Sequence, residues 1–132
     1  MKYLLDTNMV IAISRRQANI INKIRQYQPS DFVLSSVVYF ELAFGAYNSQ
    51  KVQDNLRTLE QLPFEILPFT QQDAYHAGKI RADLKQKGTP IGIYDVLIAG
   101  QAIAQELILL THNVKEFKRV NELKFEDWLN EK

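Results

Sequence analysis

The chain contains no cysteine, which excludes disulfides and thiolate-held zinc as sources of stability or chemistry and is compatible with a reducing cytosol. No stretch reaches the roughly 18 uncharged apolar residues that a membrane span needs. A leader pattern is also missing, because Lys2 is followed at once by a short strand-like run and then by Asp6. Nor is there an excess of one charge: 16 basic and 15 acidic residues give a net charge of +1, too balanced for a protein that coats polyanions indiscriminately. With no repeat, low-complexity tract or linker, 132 residues at 46% hydrophobic content suit a single buried core. The expectation is one soluble, cytoplasmic domain over residues 1–132, with no membrane contact.

What stands out against that background is a set of three lone acids, each interrupting an apolar run. Asp6 follows Tyr3-Leu4-Leu5, Glu41 lies inside the run from Val37 to Gly45, and Asp95 separates Ile93-Tyr94 from Val96-Leu97-Ile98-Ala99. A carboxylate in such a setting is costly unless it is protonated, paired or bound to a metal. Three of them call for a common explanation, and a divalent-metal site supplies one.

Strand-like and helix-like segments alternate along the chain, the pattern of an α/β architecture. Residues 2–5 read as a first strand, 9–14 and 19–27 as helices, and 32–34 as a second strand after the Pro29-Ser30 break. Ser35-Ser36 can cap a helix running to about Asn48; a further helix spans 52–62, and a short strand at 64–67 is closed by Pro68. A basic helix over 71–87 follows, its inner stripe formed by Ala74, Ala77, Ile80 and Leu84, with Lys79, Arg81 and Lys85 mostly off that stripe as candidate RNA contacts. On charge alone this is an ordinary solvated face. A Gly88-Thr89-Pro90 turn leads to a helix at 95–105, a strand at 107–110 and a short element around Trp128.

In an open α/β sheet, functional groups gather at the carboxyl edge of the strands. Asp6 belongs at that edge of the first strand, Glu41 early in the helix after the second, and Asp95 at the start of the helix that feeds the strand ending at Thr111. Three acids far apart in sequence can therefore converge. Singly, each has a plainer explanation: Asp6 before Thr7-Asn8 and Asp95 at a helix start are what capping and the helix dipole favour. Glu41 gains nothing from a cap, although a carboxylate can turn to solvent from an amphipathic helix. Together they make a hard-oxygen donor set suited to Mg²⁺, with Mn²⁺ as a substitute. Such an ion completes its shell with water and phosphate oxygens, so phosphodiester hydrolysis is the natural chemistry.

Asp6-Thr7-Asn8 after an apolar strand, Ser35-Ser36-Val37 leading to Glu41-Leu42 and Gly45, Ile91-Gly92 with Tyr94-Asp95, and Thr111-His112-Asn113 followed by Glu116-Phe117 together resemble the PIN-domain ribonucleases, most closely the VapC toxins of bacterial toxin–antitoxin pairs. The resemblance runs from Lys2 through Glu126-Asp127-Trp128. It implies a three-layer α/β/α sandwich with a central, mainly parallel sheet and a Mg²⁺-dependent endoribonuclease site. The implied substrate is a cellular RNA, a tRNA first, with ribosomal or messenger RNA as rivals. By position, Asp6 and Asp95 would be the main metal ligands and Glu41 the third acid. Many members place a fourth acid just after the strand that ends here at Thr111. In this chain Glu116 fills that role, Asn113 serves as a neutral partner, or the site runs on three acids. Thr7 and Thr111 match hydroxyl positions that orient a carboxylate or water, and Asn8 does likewise or caps the following helix. A VapB-type antitoxin and a homodimer are the implied partners.

Three points remain outside that match. His76 lies far from the motifs, and His112, near them, is better suited to RNA or water than to metal. The aromatics Tyr39, Phe40, Phe44 and Tyr47 cover too broad an arc for one core face, so part of the set is expected in the core and the remainder on a partner surface. A PIN scaffold that binds RNA or protein without cutting is the main alternative, since Asn113 stands where an acid is common. A phosphoryl-accepting signalling domain would want an acidic pair near the first strand, and here Asp6 stands alone.

Overall fold

The computed structural model describes residues 2–129. Among these residues the sheet has five strands, β1 (Tyr3–Leu5), β2 (Phe32–Ser35), β3 (Glu65–Leu67), β4 (Ile108–Leu110) and β5 (Phe125–Glu126), in the order β3-β2-β1-β4-β5. All four pairings are parallel, and β1 is flanked by β2 in register Leu5↔Leu34 and by β4 in register Leu5↔Leu110. Central parallel strands are covered on both faces and so read as unbroken apolar runs. Leu4, Leu5, Val33, Leu34, Leu109 and Leu110 are accordingly fully buried.

Among the described residues, seven α-helices connect and cover the strands: α1 (Thr7–Ser14), α2 (Ala18–Ile24), α3 (Ser36–Tyr47), α4 (Val52–Glu60), α5 (Gln71–Gln86), α6 (Ile93–Ala104) and α7 (Val114–Phe117). The result is the three-layer α/β/α arrangement expected. Among the described residues no helix is long and apolar enough to cross a membrane. The ends of the expected 1–132 domain, residue 1 and residues 130–132, lie outside the described residues.

Local chemistry accounts for the helix starts. Ser35 Oγ accepts the Val37 N–H at 3.0 Å and opens α3, and Thr70 and Asp73 exchange side-chain-to-backbone bonds as a capping box for α5. The inner stripe of α5 differs from expectation, for Ala74 is exposed and Asp73 is buried in its stead. Burial of that acid is tolerated because its carboxylate takes the Thr70 N–H and the Gln105 amide. α5 and α6 pack at very close range where Gly100 meets Ala77: a Cβ on Gly100 would lie 2.5 Å from the Ala77 nitrogen.

The aromatics of α3 also depart from expectation. Phe40, Phe44 and Tyr47 are 55%, 63% and 67% exposed and Tyr39 is only partly buried, so none belongs to the core. The small or slender Val38 and Ala46 occupy the buried face of α3 instead.

What matters for function is the sheet order. The chain moves outward from β1 through β2 to β3, then returns to the other side of β1 for β4 and β5. Such a reversal opens a crevice at the carboxyl ends of β1 and β4, where ligands bind in open α/β sheets.

Candidate active site

Asp6 is the residue immediately beyond β1, and its backbone N–H donates to Leu110 O at 2.9 Å, which fixes it at the mouth of that crevice. Its side chain is 4% exposed and heavily bonded. Oδ1 accepts the Thr7 N–H at 2.8 Å, while Oδ2 accepts the Thr111 hydroxyl at 2.7 Å and the Asn8 amide at 3.3 Å. Asp6 thus caps α1 with one oxygen, while the other takes the Thr111 hydroxyl and the Asn8 amide. Burial pushes its carboxyl above the ordinary range, opposed by those three donors.

Glu41 comes from the second turn of α3, half-buried, with Oε1 accepting the Thr7 hydroxyl at 3.1 Å. It too is raised, first by burial and then by the charge of Asp6, while Thr7 opposes the shift. Asp95 lies in the first turn of α6, which begins at Ile93 with Gly92 as its N-cap and no side-chain cap, so Asp95 performs no capping. Its Oδ2 accepts the Asn113 amide at 3.2 Å. Burial, then the charges of Asp6, Glu41 and Glu116 in that order, push its carboxyl from 3.8 up to about 6.

Four hydroxyl and amide side chains therefore hold three mutually repelling acids: Thr111 and Asn8 on Asp6, Thr7 on Glu41, Asn113 on Asp95. Asn113 is in turn held by its own N–H, which donates to Thr111 Oγ1 at 2.9 Å. Glu116, on α7, makes itself felt at Asp95 through its charge alone, whereas Asn113 makes the direct contact.

Among the described residues no three acidic or histidine side chains are drawn tightly enough to grip an ion by themselves. The donor chemistry nonetheless fits Mg²⁺ or Mn²⁺. Oxygen donors of like charge converge, and among the described residues Glu41 Oε2 and Asp95 Oδ1 accept no hydrogen bond. An open set of few carboxylates is what an ion that keeps several waters and takes substrate phosphate oxygens requires.

The candidate basic residues are divided by the structure. Arg81 and Lys85 line a groove with Pro90, Ile91 and Ile93, just before the helix turn that carries Asp95. Lys79 lies on another cleft, beside His76, Asp83 and Arg119. A further residue, Asp127, stood out in the sequence only as part of the tail motif: its carboxylate lies 3.0 Å from His112 Nδ1. The signal that could have singled it out was its place after the last strand, where the neighbouring strand end carries His112.

Residues 3–123 match the PIN domain family. The chain is 39% identical to Ribonuclease VapC1 of Haemophilus influenzae (strain R2866), covering 97% of this chain and 98% of that one. The chain belongs to the PIN-domain family of VapC ribonucleases. It is 37% identical to the tRNA(fMet)-specific endonuclease VapC of Salmonella typhimurium, over 97% of this chain and 98% of that one. The solved structure of DNA-bound VapBC from the same organism superposes with a TM-score of 0.91 at 37% identity, covering 97% of this chain and 98% of that chain. VapBC2 of Rickettsia felis, bound to a promoter DNA fragment, gives 0.89 at 35% identity, over 97% and 99%. By this membership the chain is an enzyme, a nuclease, and the three-layer fold is the fold of its PIN-domain relatives.

Proposed function

We propose that this chain is a divalent-metal-dependent endoribonuclease, the toxin of a toxin–antitoxin pair, which cuts a cellular RNA in the cytoplasm and slows translation and growth when its antitoxin is absent. The observation that carries the reading is the gathering of Asp6, Glu41 and Asp95 at the crevice, each raised first by burial and Asp95 then by the charges of Asp6 and Glu41, to about 6. Clustered carboxylates held by neutral hydroxyls and amides suit a site completed by a metal and a phosphodiester. A tRNA substrate is supported by the names of relatives from Salmonella typhimurium and Shigella flexneri, each 37% identical.

In this mechanism Asp6, Asp95 and Glu41 would hold Mg²⁺, which Mn²⁺ can replace. When bound, the ion supplies Lewis-acid chemistry against the charge that builds on the phosphoryl group. Thr111 and Asn8 keep Asp6 in one rotamer, Thr7 does so for Glu41, and Asn113 for Asp95, so the ligands are set before substrate arrives. Glu41 Oε2 is the oxygen suited to orient the attacking water, since Oε1 is engaged by Thr7. Glu116 adds negative charge at the rim, and Arg81 and Lys85 bind the RNA backbone along the groove leading to Asp95.

The partners follow the same logic. A groove of about 480 Å³ runs from Thr7 and Glu41 along Val10, Ile11, Leu42 and Leu62, and a segment of a VapB-type antitoxin lying in it would cover Glu41. Phe40, Phe44, Tyr47 and Tyr94 form an exposed apolar face, with the Phe40 and Tyr94 rings 5.8 Å apart, that a second copy of the chain would cover.

The test is cleavage of total cellular RNA by purified protein with Mg²⁺ or with EDTA, beside Asp6→Asn, with the fragment ends sequenced. Discrete cuts that need both the metal and Asp6 are expected. Folded, antitoxin-free protein that binds RNA but cuts none would replace this reading with the non-catalytic scaffold.

A further inference from the structure

Hydrolysis by carboxylates and a divalent cation uses water as nucleophile and makes no use of the ribose 2′-hydroxyl. Nothing in Asp6, Glu41 or Asp95 therefore separates RNA from DNA. Discrimination needs a group at the rim of the crevice that can hydrogen-bond the sugar.

His112 is placed for this. It follows Thr111, which bonds Asp6 directly, and its backbone N–H donates to Asn8 Oδ1 at 3.1 Å, while the Asn8 amide donates to Asp6 Oδ2 at 3.3 Å. The ring nitrogen Nδ1 lies 3.0 Å and 3.3 Å from the two oxygens of Asp127. A carboxylate only accepts, so Nδ1 carries the ring proton, and in the neutral ring Nε2 is left with its lone pair. The two side chains differ in setting: that of Asp127 is 12% exposed and that of His112 is 53% exposed.

Asp127 is itself anchored. Its Oδ1 accepts the Leu129 N–H at 3.0 Å, and Leu129 O accepts the Asn19 amide at 2.9 Å. The adjacent Trp128 is 1% exposed, its ring packed against those of Tyr3, Tyr27 and Phe32. The imidazole is thus oriented by a tail that Trp128 anchors in the core, and Nε2 lies on the side of the ring away from Asp127.

An acceptor at that place selects among RNA groups. Phosphate oxygens are acceptors and gain nothing from a lone pair. The ribose hydroxyl next to the bound phosphate is a donor present at every nucleotide. Resting on the nuclease reading above, we propose that His112, oriented by Asp127, is a specificity-determining residue that accepts a hydrogen bond from a 2′-hydroxyl beside the scissile phosphate.

The experiment uses labelled oligonucleotides spanning the mapped cut site, all RNA or with single 2′-deoxy substitutions on either side of the cut. Affinity is read by fluorescence anisotropy in EDTA, and kcat/KM is read separately in Mg²⁺. For the wild-type protein one deoxy position should weaken binding roughly two- to tenfold, the range for one neutral hydrogen bond. In His112→Ala that penalty should vanish, and Asp127→Ala, which frees the ring without removing it, should shrink it. Nitrogen NMR of the free wild-type protein should show the proton of the neutral His112 ring on Nδ1. An equal deoxy penalty in wild type and His112→Ala at every position, or a ring protonated on Nε2, overturns the assignment. Wild-type protein that neither binds nor cuts the RNA defeats the nuclease reading itself, whereas cutting with an unchanged penalty defeats only the role of His112.

Discussion

Replacing Asp95 by asparagine should abolish cleavage and, in the absence of metal, make the protein more stable. The magnitude follows from the electrostatics of the crevice. Moving the Asp95 carboxyl from 3.8 to about 6 in the folded state corresponds to roughly 3 kcal/mol against its ionised form. The side chain is only half-buried, so solvent screening reduces this to about 1–1.5 kcal/mol. The substituted side chain keeps the shape of the original, and its amide oxygen can still accept the Asn113 amide that Asp95 Oδ2 now accepts.

The sign depends on pH. Below about pH 3.8 both folded and unfolded Asp95 are protonated, and the charge costs nothing. Between 3.8 and about 6 the unfolded chain releases the proton while the folded one holds it, so stability falls as pH rises; above about 6 the full penalty is present. The advantage of Asp95→Asn should therefore be absent near pH 3.5 and complete at pH 7.5, where it appears as a melting temperature higher by about 3–7 °C in EDTA. Thermal unfolding in EDTA at both pH values measures it. Added Mg²⁺ should close the gap by stabilising the wild type, since an ion that binds only the folded state adds to its stability. Equal melting temperatures for the two proteins at pH 7.5 in EDTA would refute the account of the crevice as a cluster of strained charges.

Two further substitutions probe the frame around the acids. Thr111→Val removes the buried hydroxyl that donates to Asp6 Oδ2 and accepts from Asn113; loss of a hydrogen bond to a charged group should cost about 1.5–3 kcal/mol in urea unfolding and lower kcat with it. Gly100→Ala forces a methyl to 2.5–2.7 Å from Ala77 between α5 and α6, so it should destabilise by about 1–3 kcal/mol or more while leaving the cut sites unchanged; unaltered stability would mean that the two helices are free to separate there.

How much of this was legible in the sequence depends on whether a residue's environment is local or assembled. The buried strands announce themselves, because a run such as Tyr3-Leu4-Leu5 has to be covered on both faces and Asp6 then marks where the run meets solvent. The Ser35 cap and the α5 helix follow from short-range rules, although the ends drift: the second helix stops at Ile24 rather than Tyr27, and α6 starts at Ile93 rather than Asp95. The four-residue α7 carries too little pattern to be read, and the two-residue β5 is legible only as a short element around Trp128. Each acid's place at the carboxyl edge could be inferred from its position after a strand or in the helix that follows. Which hydroxyl holds which carboxylate could not, since Thr111 and Asp6 meet only when β4 lies beside β1.

The misplaced residues show the same limit from the other side. Asp73 is an acid in the core because Thr70 and Gln105 supply donors, and Phe44 is a large apolar residue on the surface because Val38 and Ala46 occupy the face of α3 that the sheet accepts. Hydrophobicity of a side chain states what it would gain by burial, not whether the fold has room for it. The apolar surplus on α3 is therefore not a failure of packing. Exposed rings beside an acid-lined crevice leave free energy to be gained only by a partner. A cation on those charges or a surface over those aromatics would bind the folded chain alone, so each complex that forms should raise its resistance to unfolding.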